Sequence, residues 1–131
     1  MRLGSDTYFA LMASLVSLRG TCHRRRVGCV LVDASRRVLA TGYNGVPKGV
    51  EHCSQHPCPG AFLAPGTGLD LCEATHAEIN ALLQCREPDK IDTCYVTASP
   101  CVQCVKALMN TGCQRVVFLE EYPHSEAGQI G

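Results

Sequence analysis

A chain of 131 residues is long enough to bury one hydrophobic core but not two, so the sequence predicts a single domain over residues 1–131. Twelve basic residues balance twelve acidic ones, which argues against a general binder of nucleic acid or membrane surfaces but allows a local basic pocket. Apolar residues make up 46% of the chain, a content that indicates a globular fold.

The first predicted element is a helix within "MRLGSDTYFALMASLVSLRG". Ser5 is the expected N-cap and Gly20 the expected C-cap. The predicted buried face has i, i+3, i+4 spacing and comprises Tyr8, Leu11, Met12, Leu15 and Leu18. A secretory signal is the alternative, but Asp6 interrupts the apolar run and no A-x-A-like cleavage site follows. The run is also too short to span a membrane, so we expect an amphipathic helix and a cytoplasmic protein.

The remaining elements alternate between strand and helix. "VGCVLVD" (27–33) and "VLATGYN" (38–44) predict a β-hairpin turned by "ASRR", and a long Gly-, Pro- and Cys-rich loop follows over 45–72. A helix is predicted from His76, with Ile79, Leu82 and Leu83 at apolar spacing. A strand (93–99), a helix between Pro100 and Gly112 and a strand (115–121) complete the chain. The order α-β-β-α-β-α-β predicts an α/β sandwich with parallel pairing among the later strands.

The ten cysteines divide into two groups. Four lie in or beside apolar elements and are expected to be small core residues: Cys29, Cys85, Cys94 and Cys113. Six lie beside polar, Gly- or Pro-containing segments: Cys22, Cys53, Cys58, Cys72, Cys101 and Cys104. A disulfide framework would explain an even count in a secreted chain, whereas metal binding is the better explanation for thiols kept reduced in the cytosol.

The strongest signal joins the starts of two predicted helices. Cys101 and Cys104 are three residues apart, which places both sulfurs on one face, and His76 opens the preceding helix. One imidazole and two thiolates form a catalytic zinc site with a fourth position open to water. Glu78 is expected to be the proton carrier, since H-x-E…P-C-x-x-C is the signature of zinc-dependent nucleobase deaminases. A polar cap and a favourable first-turn acid remain the alternative for His76 and Glu78 taken alone.

Residues 20–122 resemble the deoxycytidylate (dCMP) deaminases of bacteria and phages. The resemblance is carried by "CHRRRVGCVLVD", "ATGYNGVPKGVEHC", "LCEATHAEINALL", "YVTASPCVQC" and "RVVFLEEYP". It implies the cytidine deaminase fold, a three-layer sandwich with a central mixed sheet flanked by helices. It also implies zinc-dependent hydrolysis of dCMP to dUMP and ammonia, supplying dUMP for thymidylate synthesis in the cytoplasm, or in the host cytoplasm if a phage encodes the chain.

A substrate site follows from the same resemblance. Asn44, which closes a predicted strand, is expected to hold the deoxyribose through its amide. The backbone N–H of Ala77 and the carbonyl of Ser99 are expected to contact the base, and Tyr122 to pack on it. Arg26 is our choice for the 5′-phosphate, because a guanidinium binds phosphate in a fork, although a solvated surface charge is the alternative.

Further sites are expected outside the catalytic group. A second, structural Zn²⁺ would be held by Cys22, Cys53, Cys58 and Cys72, with His52 or His56 as replacements for one thiolate. The "GYNGVPKG" loop is expected to bind the activator dCTP or the inhibitor dTTP, unless it is a simple tight turn. The loop residues expected to contact the nucleotide are Gly42, Tyr43, Gly45 and Lys48. Arg24 and Arg25, on the other side of the strand junction, are expected to hold the triphosphate with Mg²⁺. The resemblance also implies a homo-oligomer, commonly a hexamer.

Other functions compatible with the zinc motif remain open. They include deamination of dCTP or another cytosine nucleotide, a free-cytidine deaminase and a riboflavin-pathway deaminase. A tRNA adenosine deaminase should carry a more basic surface than this neutral chain. A non-catalytic, zinc-stabilised nucleotide-binding module would not need Glu78, and a protein ligand would fill its fourth coordination position.

Overall fold

The predicted order of elements is confirmed by the computed structural model, which describes residues 2–20, 26–45 and 76–120. The elements, in chain order, are α1 (Ser5–Ser17), β1 (Gly28–Asp33), β2 (Val38–Tyr43), α2 (Ala77–Gln84), a 3₁₀ turn (Pro88–Lys90), β3 (Ile91–Ala98), α3 (Val102–Met109) and β4 (Arg115–Glu120). Most of the predicted loop over 45–72 lies outside these ranges. None of the helices described is long and apolar enough to cross a membrane.

The four strands form one mixed sheet in the order β2-β1-β3-β4. β1 pairs antiparallel with both β2 and β3, and the turn of the β1–β2 hairpin contains Arg36 at a φ of 65°. β4 runs parallel to β3, as expected for two strands joined through a helix. The prediction of a mixed central sheet is therefore confirmed.

Helices cover both faces of this sheet. On one face α2 and α3 pack over Cys29, Leu31, Cys94 and Val96, and on the other α1 packs over Val30, Val32 and Tyr95. Successive strand residues point to opposite faces, so alternate residues of β1 belong to the two cores. Cys29 and Cys94 are fully buried, which confirms that they are core residues, whereas Cys85 and Cys113 are only partly buried.

The predicted buried face of α1 is wrong. Tyr8, Leu11, Leu15 and Leu18 are exposed, the last two at 67% and 68%, and of the predicted set Met12 alone packs partly against the core. The face on the sheet consists instead of Phe9 and Ala13, with Met12 and Val16 partly buried. The predicted caps are also wrong: Gly4 is the N-cap and Leu18 the C-cap.

Polar contacts attach the start of α1 to β3 and β4. Tyr95, in the middle of β3, donates its hydroxyl to Asp6 Oδ1 at 2.5 Å, and Arg115 Nη2 lies 2.9 Å from Asp6 Oδ2. The hydrogen bond from Arg115, followed by that from Tyr95, lowers the pKa of Asp6. Asp6 thus adds two polar contacts at the first turn of α1 to the packing of Phe9 against Tyr95.

α2 approaches β2 backbone to backbone. A Cβ on Gly42 would lie 2.4 Å from the backbone nitrogen of Ala81 and 2.5 Å from the carbonyl oxygen of Ala77. Glycine is therefore required at this position by the helix that packs on the strand. The face of α2 that it meets is small, with Ala77 and Ala81 buried, whereas Leu83, predicted to lie on the apolar side, is 77% exposed.

Candidate active site

The three predicted metal ligands come together between α2 and α3. His76 Nδ1 lies 3.3 Å from Cys104 Sγ and 3.4 Å from Cys101 Sγ, and the two sulfurs are 3.5 Å apart. His76 is the N-cap of α2 and Cys101 is the N-cap of α3, and neither side chain makes a capping hydrogen bond. The ends of two helices therefore direct three ligand atoms to one point.

The spacing and chemistry of this group fit zinc. Tetrahedral coordination with Zn–S near 2.3 Å and Zn–N near 2.0–2.1 Å places two sulfurs about 3.8 Å apart and a sulfur and a nitrogen about 3.6 Å apart. The observed separations of 3.3–3.5 Å require shifts of only a few tenths of an ångström. Three protein ligands of the nitrogen–sulfur type leave the fourth position for water, as in catalytic zinc sites.

One of the two thiols is already disposed to lose its proton, and the other retains it. The hydrogen bond from Cys104, and then that from His76, lowers the pKa of Cys101 to about 3, against the opposing effect of burial. The same hydrogen bond to Cys101, together with burial and the charge of Glu78, raises the pKa of Cys104. One proton is thus shared by the pair, and a divalent cation would displace it because thiolates are the metal-binding form.

Glu78 lies in the first turn of α2 and is 4% exposed. Its charge contributes to the raised pKa of Cys104, behind the hydrogen bond from Cys101 and burial, which places the carboxylate within electrostatic range of the ligand group. Burying a carboxylate is costly, so a buried glutamate beside a metal-ligand cluster is a functional-site candidate. A mere first-turn acid, facing solvent, would not need this burial.

Asn44 is fixed at the end of β2. The backbone nitrogen of Val27 donates to its Oδ1 at 2.8 Å, and the backbone nitrogen of Asn44 donates to the Val27 carbonyl at 3.2 Å. The side chain is 6% exposed. The sequence suggested an amide that both donates to and accepts from a sugar hydroxyl; in the structure its oxygen is engaged by the backbone of Val27, which favours donation through Nδ2.

Sequence reasoning missed Asn80. Its Nδ2 donates to the backbone carbonyl of Tyr43 at 2.8 Å and so connects α2 to the residue before Asn44. A polar residue one turn after His76 was the available signal for Asn80.

Of the residues predicted for the "GYNGVPKG" loop, Gly42 packs directly on α2 and Gly45 is buried. The ring of Tyr43 lies 5.9 Å from the guanidinium carbon of Arg19.

The other predicted substrate residues occupy different environments. Ala77 and Ser99 are buried at the starts of the segments that carry the ligands, and the backbone nitrogen of Ser99 donates to the backbone carbonyl of Glu120 at 3.0 Å. Arg26 is exposed. Several predicted residues lie outside the described ranges: Arg24, Arg25, Lys48 and Tyr122, together with the structural-zinc candidates Cys22, Cys53, Cys58, Cys72, His52 and His56.

A mixed sheet between helices, with a histidine and two cysteines at two helix starts and a buried glutamate beside them, defines a zinc-dependent deaminase site. Residues 3–120 match the family model described as the cytidine and deoxycytidylate deaminase zinc-binding region. The chain belongs to this family.

Relatives within the family include enzymes of yeasts and phages. The chain is 41% identical over 121 residues to a deoxycytidylate deaminase of Schizosaccharomyces pombe, covering 89% of this chain but 37% of that protein. It is 42% identical over 122 residues to the deoxycytidylate deaminase of Mycobacterium phage D29, covering 88% of this chain and 94% of that protein. The chain thus spans about two fifths of the yeast relative and nearly all of the phage one.

A solved structure has the same fold. The dCMP deaminase from cyanophage S-TIM5, in complex with dCMP and dUMP, matches with a TM-score of 0.68 and 28% sequence identity. The match covers 93% of this chain and 85% of that chain. The expected cytidine deaminase fold is therefore confirmed.

Proposed function

We propose that this protein hydrolyses dCMP to dUMP and ammonia and so supplies dUMP for thymidylate synthesis. The observation that carries the proposal is the His76–Cys101–Cys104 group with the buried Glu78 on the same helix turn as His76. Relatives named deoxycytidylate deaminase support the substrate, as does the similar phage structure that holds dCMP and dUMP.

The residues divide the chemistry between them. Zinc, when bound by His76, Cys101 and Cys104, supplies the Lewis acid that makes a water reactive at neutral pH. Glu78 takes a proton from the attacking water, delivers it to the cytosine ring nitrogen and then assists the departing amine. General acid–base catalysis of this kind contributes roughly 10²–10⁴-fold. The N–H of Ala77 and the carbonyl of Ser99 orient the base.

Two further residues recognise the sugar and the phosphate. Asn44 donates to the 3′-hydroxyl of the deoxyribose, and Arg26 binds the 5′-phosphate through its guanidinium fork. The exposure of Arg26 suits a ligand that enters from solvent. Tyr122 packs on the base.

The proposal extends to metal content and regulation. A second zinc is held by Cys22, Cys53, Cys58 and Cys72, so metal analysis should give two zinc ions per chain, and one per chain would contradict it.

dCTP activates and dTTP inhibits through the loop that contains Tyr43, Gly45 and Lys48. Gly42 begins this loop, while Arg24 and Arg25 bind the triphosphate with Mg²⁺. Wild-type turnover that responds to neither nucleotide would reduce this loop to a turn.

Assembly into a homo-oligomer, commonly a hexamer in the resembled family, is part of the same proposal. The exposed apolar side chains of α1 and its C-cap, with Leu15 and Leu18 each about two-thirds exposed, are consistent with a surface covered by another copy. Light scattering coupled to gel filtration measures the assembly, and a monomeric mass across the working concentration range would contradict it.

Ammonia release tests the central proposal. The zinc-loaded protein is assayed with dCMP, dCTP, cytidine and deoxycytidine. We expect the highest kcat/KM for dCMP and a lower value for deoxycytidine, because deoxycytidine lacks the phosphate. Arg26→Ala should reduce the ratio of kcat/KM for dCMP to kcat/KM for deoxycytidine. The matched control Arg86→Ala, also at an exposed position, should leave this ratio unchanged. No ammonia from any cytosine nucleotide would refute the proposal.

A further inference from the structure

The start of α2 carries three polar residues, two of which, His76 and Glu78, belong to the proposed catalytic group. Asn80 follows Glu78 by two residues and His76 by four, and its backbone nitrogen donates to the His76 carbonyl at 3.0 Å. Its side chain is directed at another element, since Nδ2 donates to the Tyr43 carbonyl at 2.8 Å. A hydrogen bond therefore attaches the end of β2 to the same turn of α2 that carries the proposed zinc ligand and the proposed proton carrier.

Asn44, the next residue, has little rotational freedom of its own. Its oxygen accepts from Val27, and a Cβ on Gly20 would lie 2.6 Å from that oxygen, so this side of the amide is crowded. The distance from its Nδ2 atom to Glu78 then depends on the position of the Tyr43–Asn44 backbone against α2. The hydrogen bond from Asn80 to the Tyr43 carbonyl holds this backbone segment against the helix.

We propose that Asn80 is a positioning residue for the sugar of the substrate. By holding the Tyr43 carbonyl it sets the distance between Asn44, which donates to the sugar hydroxyl, and the groups on α2 that act on the base. This inference rests on the proposed function. Asn80 itself touches backbone rather than substrate, so it acts through Asn44.

The proposal predicts a selective loss. Removing the donor of Asn80 should loosen Asn44 and weaken its hydrogen bond to the 3′-hydroxyl. A substrate that lacks this hydroxyl has no such bond to lose, so its kcat/KM should change little. The diagnostic quantity is therefore the ratio of kcat/KM for dCMP to kcat/KM for 2′,3′-dideoxycytidine 5′-monophosphate.

The experiment compares the zinc-loaded wild type with Asn80→Leu, which approximates the shape without the donor, and Asn80→Asp, which places a carboxylate against the carbonyl. Gln84→Leu is the matched control, because Gln84 lies on the same helix and is exposed. Zinc content and melting temperature are measured for each variant. We expect a wild-type ratio of at least about tenfold, since a site built to bond a hydroxyl rejects the analogue without it. The Asn80 variants should lower the ratio to about threefold or less, and Gln84→Leu should keep it.

Three results would overturn the inference. They are a wild-type ratio near one, an Asn80 variant that is folded and zinc-loaded yet keeps the wild-type ratio, and an equal loss for both substrates. If neither Asn80 variant folds, Asn80 is a folding residue and the proposal is wrong. A wild type that deaminates neither nucleotide refutes the proposed function instead, so the two failures are distinguishable.

Discussion

Glu78 is a carboxylate that is 4% exposed at the start of a helix. The positive end of the helix macrodipole favours a negative charge there, which offsets part of the cost of burial. The remaining cost is reasonable if the group moves protons, because catalytic groups are held where their protonation can be tuned.

Replacing Glu78 by glutamine should separate catalysis from structure. Gln keeps the shape and a hydrogen-bonding end but cannot accept and return a proton, so kcat for dCMP should fall by about 10²–10⁴-fold or more while zinc stays bound. Glu87→Gln makes the same chemical change at an exposed position paired with Lys90 and should leave kcat unchanged. Steady-state ammonia release and metal analysis check both, and near-wild-type kcat in Glu78→Gln would remove it from the mechanism.

At this scale the sequence predicted the metal group but not its surroundings. His76, Cys101 and Cys104 could be found because ligand spacing along a chain follows from coordination chemistry and helix geometry. For Asn80 the sequence offered only a polar residue one turn after His76, because its partner is a backbone carbonyl on another element and that contact leaves no sequence pattern. The engagement of Asn44 by Val27 was hidden for the same reason.

Helix α1 shows why a face cannot always be chosen from spacing. Phe9, Met12, Ala13 and Val16 recur at the same helical intervals as Tyr8, Leu11, Leu15 and Leu18, so the helix is apolar on two sides. Periodicity identifies the helix but not which side meets the sheet. That choice is made by the fit of Phe9 and Ala13 over Val30 and Tyr95.

The close approach of α2 to β2 predicts a large effect of one methyl group. In Gly42→Ala the new Cβ would meet backbone atoms of Ala81 and Ala77 at 2.4–2.5 Å, so the helix must move. We expect a loss of about 2 kcal/mol or more in the free energy of unfolding, measured by urea denaturation.

Gly4→Ala is the control for this substitution. Nothing lies within 4 Å of a Cβ at Gly4, and the residue has an extended backbone with a φ of −65°. The free energy of unfolding of Gly4→Ala should differ from wild type by no more than about 1 kcal/mol. Alanine lowers the entropy of the unfolded chain, which stabilises the fold, but it is a weaker N-cap than glycine, which destabilises it. Equal effects of the two substitutions would contradict the packing argument.

The contacts at the start of α1 predict an acid-sensitive part of stability. The pKa of Asp6 is lowered in the folded state, so its contribution is present above the unfolded pKa and is lost as the pH falls through the folded value. Asp6→Asn should therefore reduce stability at pH 7 by no more than about 1 kcal/mol, since the pair is half-exposed. The difference from wild type should shrink below about pH 4, the unfolded value. Urea titrations at pH 7 and pH 3 measure it, and a pH-independent difference would exclude Asp6 as the titrating group.

For the whole molecule, zinc should stabilise the fold by linkage. A ligand that binds the native state at a hundredfold excess over its Kd adds about 2.7 kcal/mol, so chelation should lower the melting temperature by several degrees. The response from this site should be absent in Cys104→Ser, which lacks one ligand. Differential scanning fluorimetry with and without chelator checks the expectation. A full response in Cys104→Ser would locate the stabilising metal elsewhere.

The sheet has one seam between two contiguous lengths of chain. β2 and β1 come from before residues 46–75, β3 and β4 from after them, and β1–β3 is where the two lengths pair. The helices cross this seam: α1 lies on Tyr95 of β3, and α2 lies on Gly42 of β2. A helix from each length of chain therefore packs on a strand from the other length.

Two peptides that separate these lengths of chain would test whether each depends on the other to fold. A peptide of residues 1–45 would expose the strand edge and face that β3 and α2 cover, and one of residues 76–131 would lose α1. We expect each alone to lack the native circular dichroism spectrum, although the second contains all three proposed ligands of the catalytic zinc. A fragment that shows the native spectrum by itself would contradict this interdependence. Asn44 comes from one fragment and Glu78 from the other, so the complete proposed site exists only where the two lengths of chain are joined.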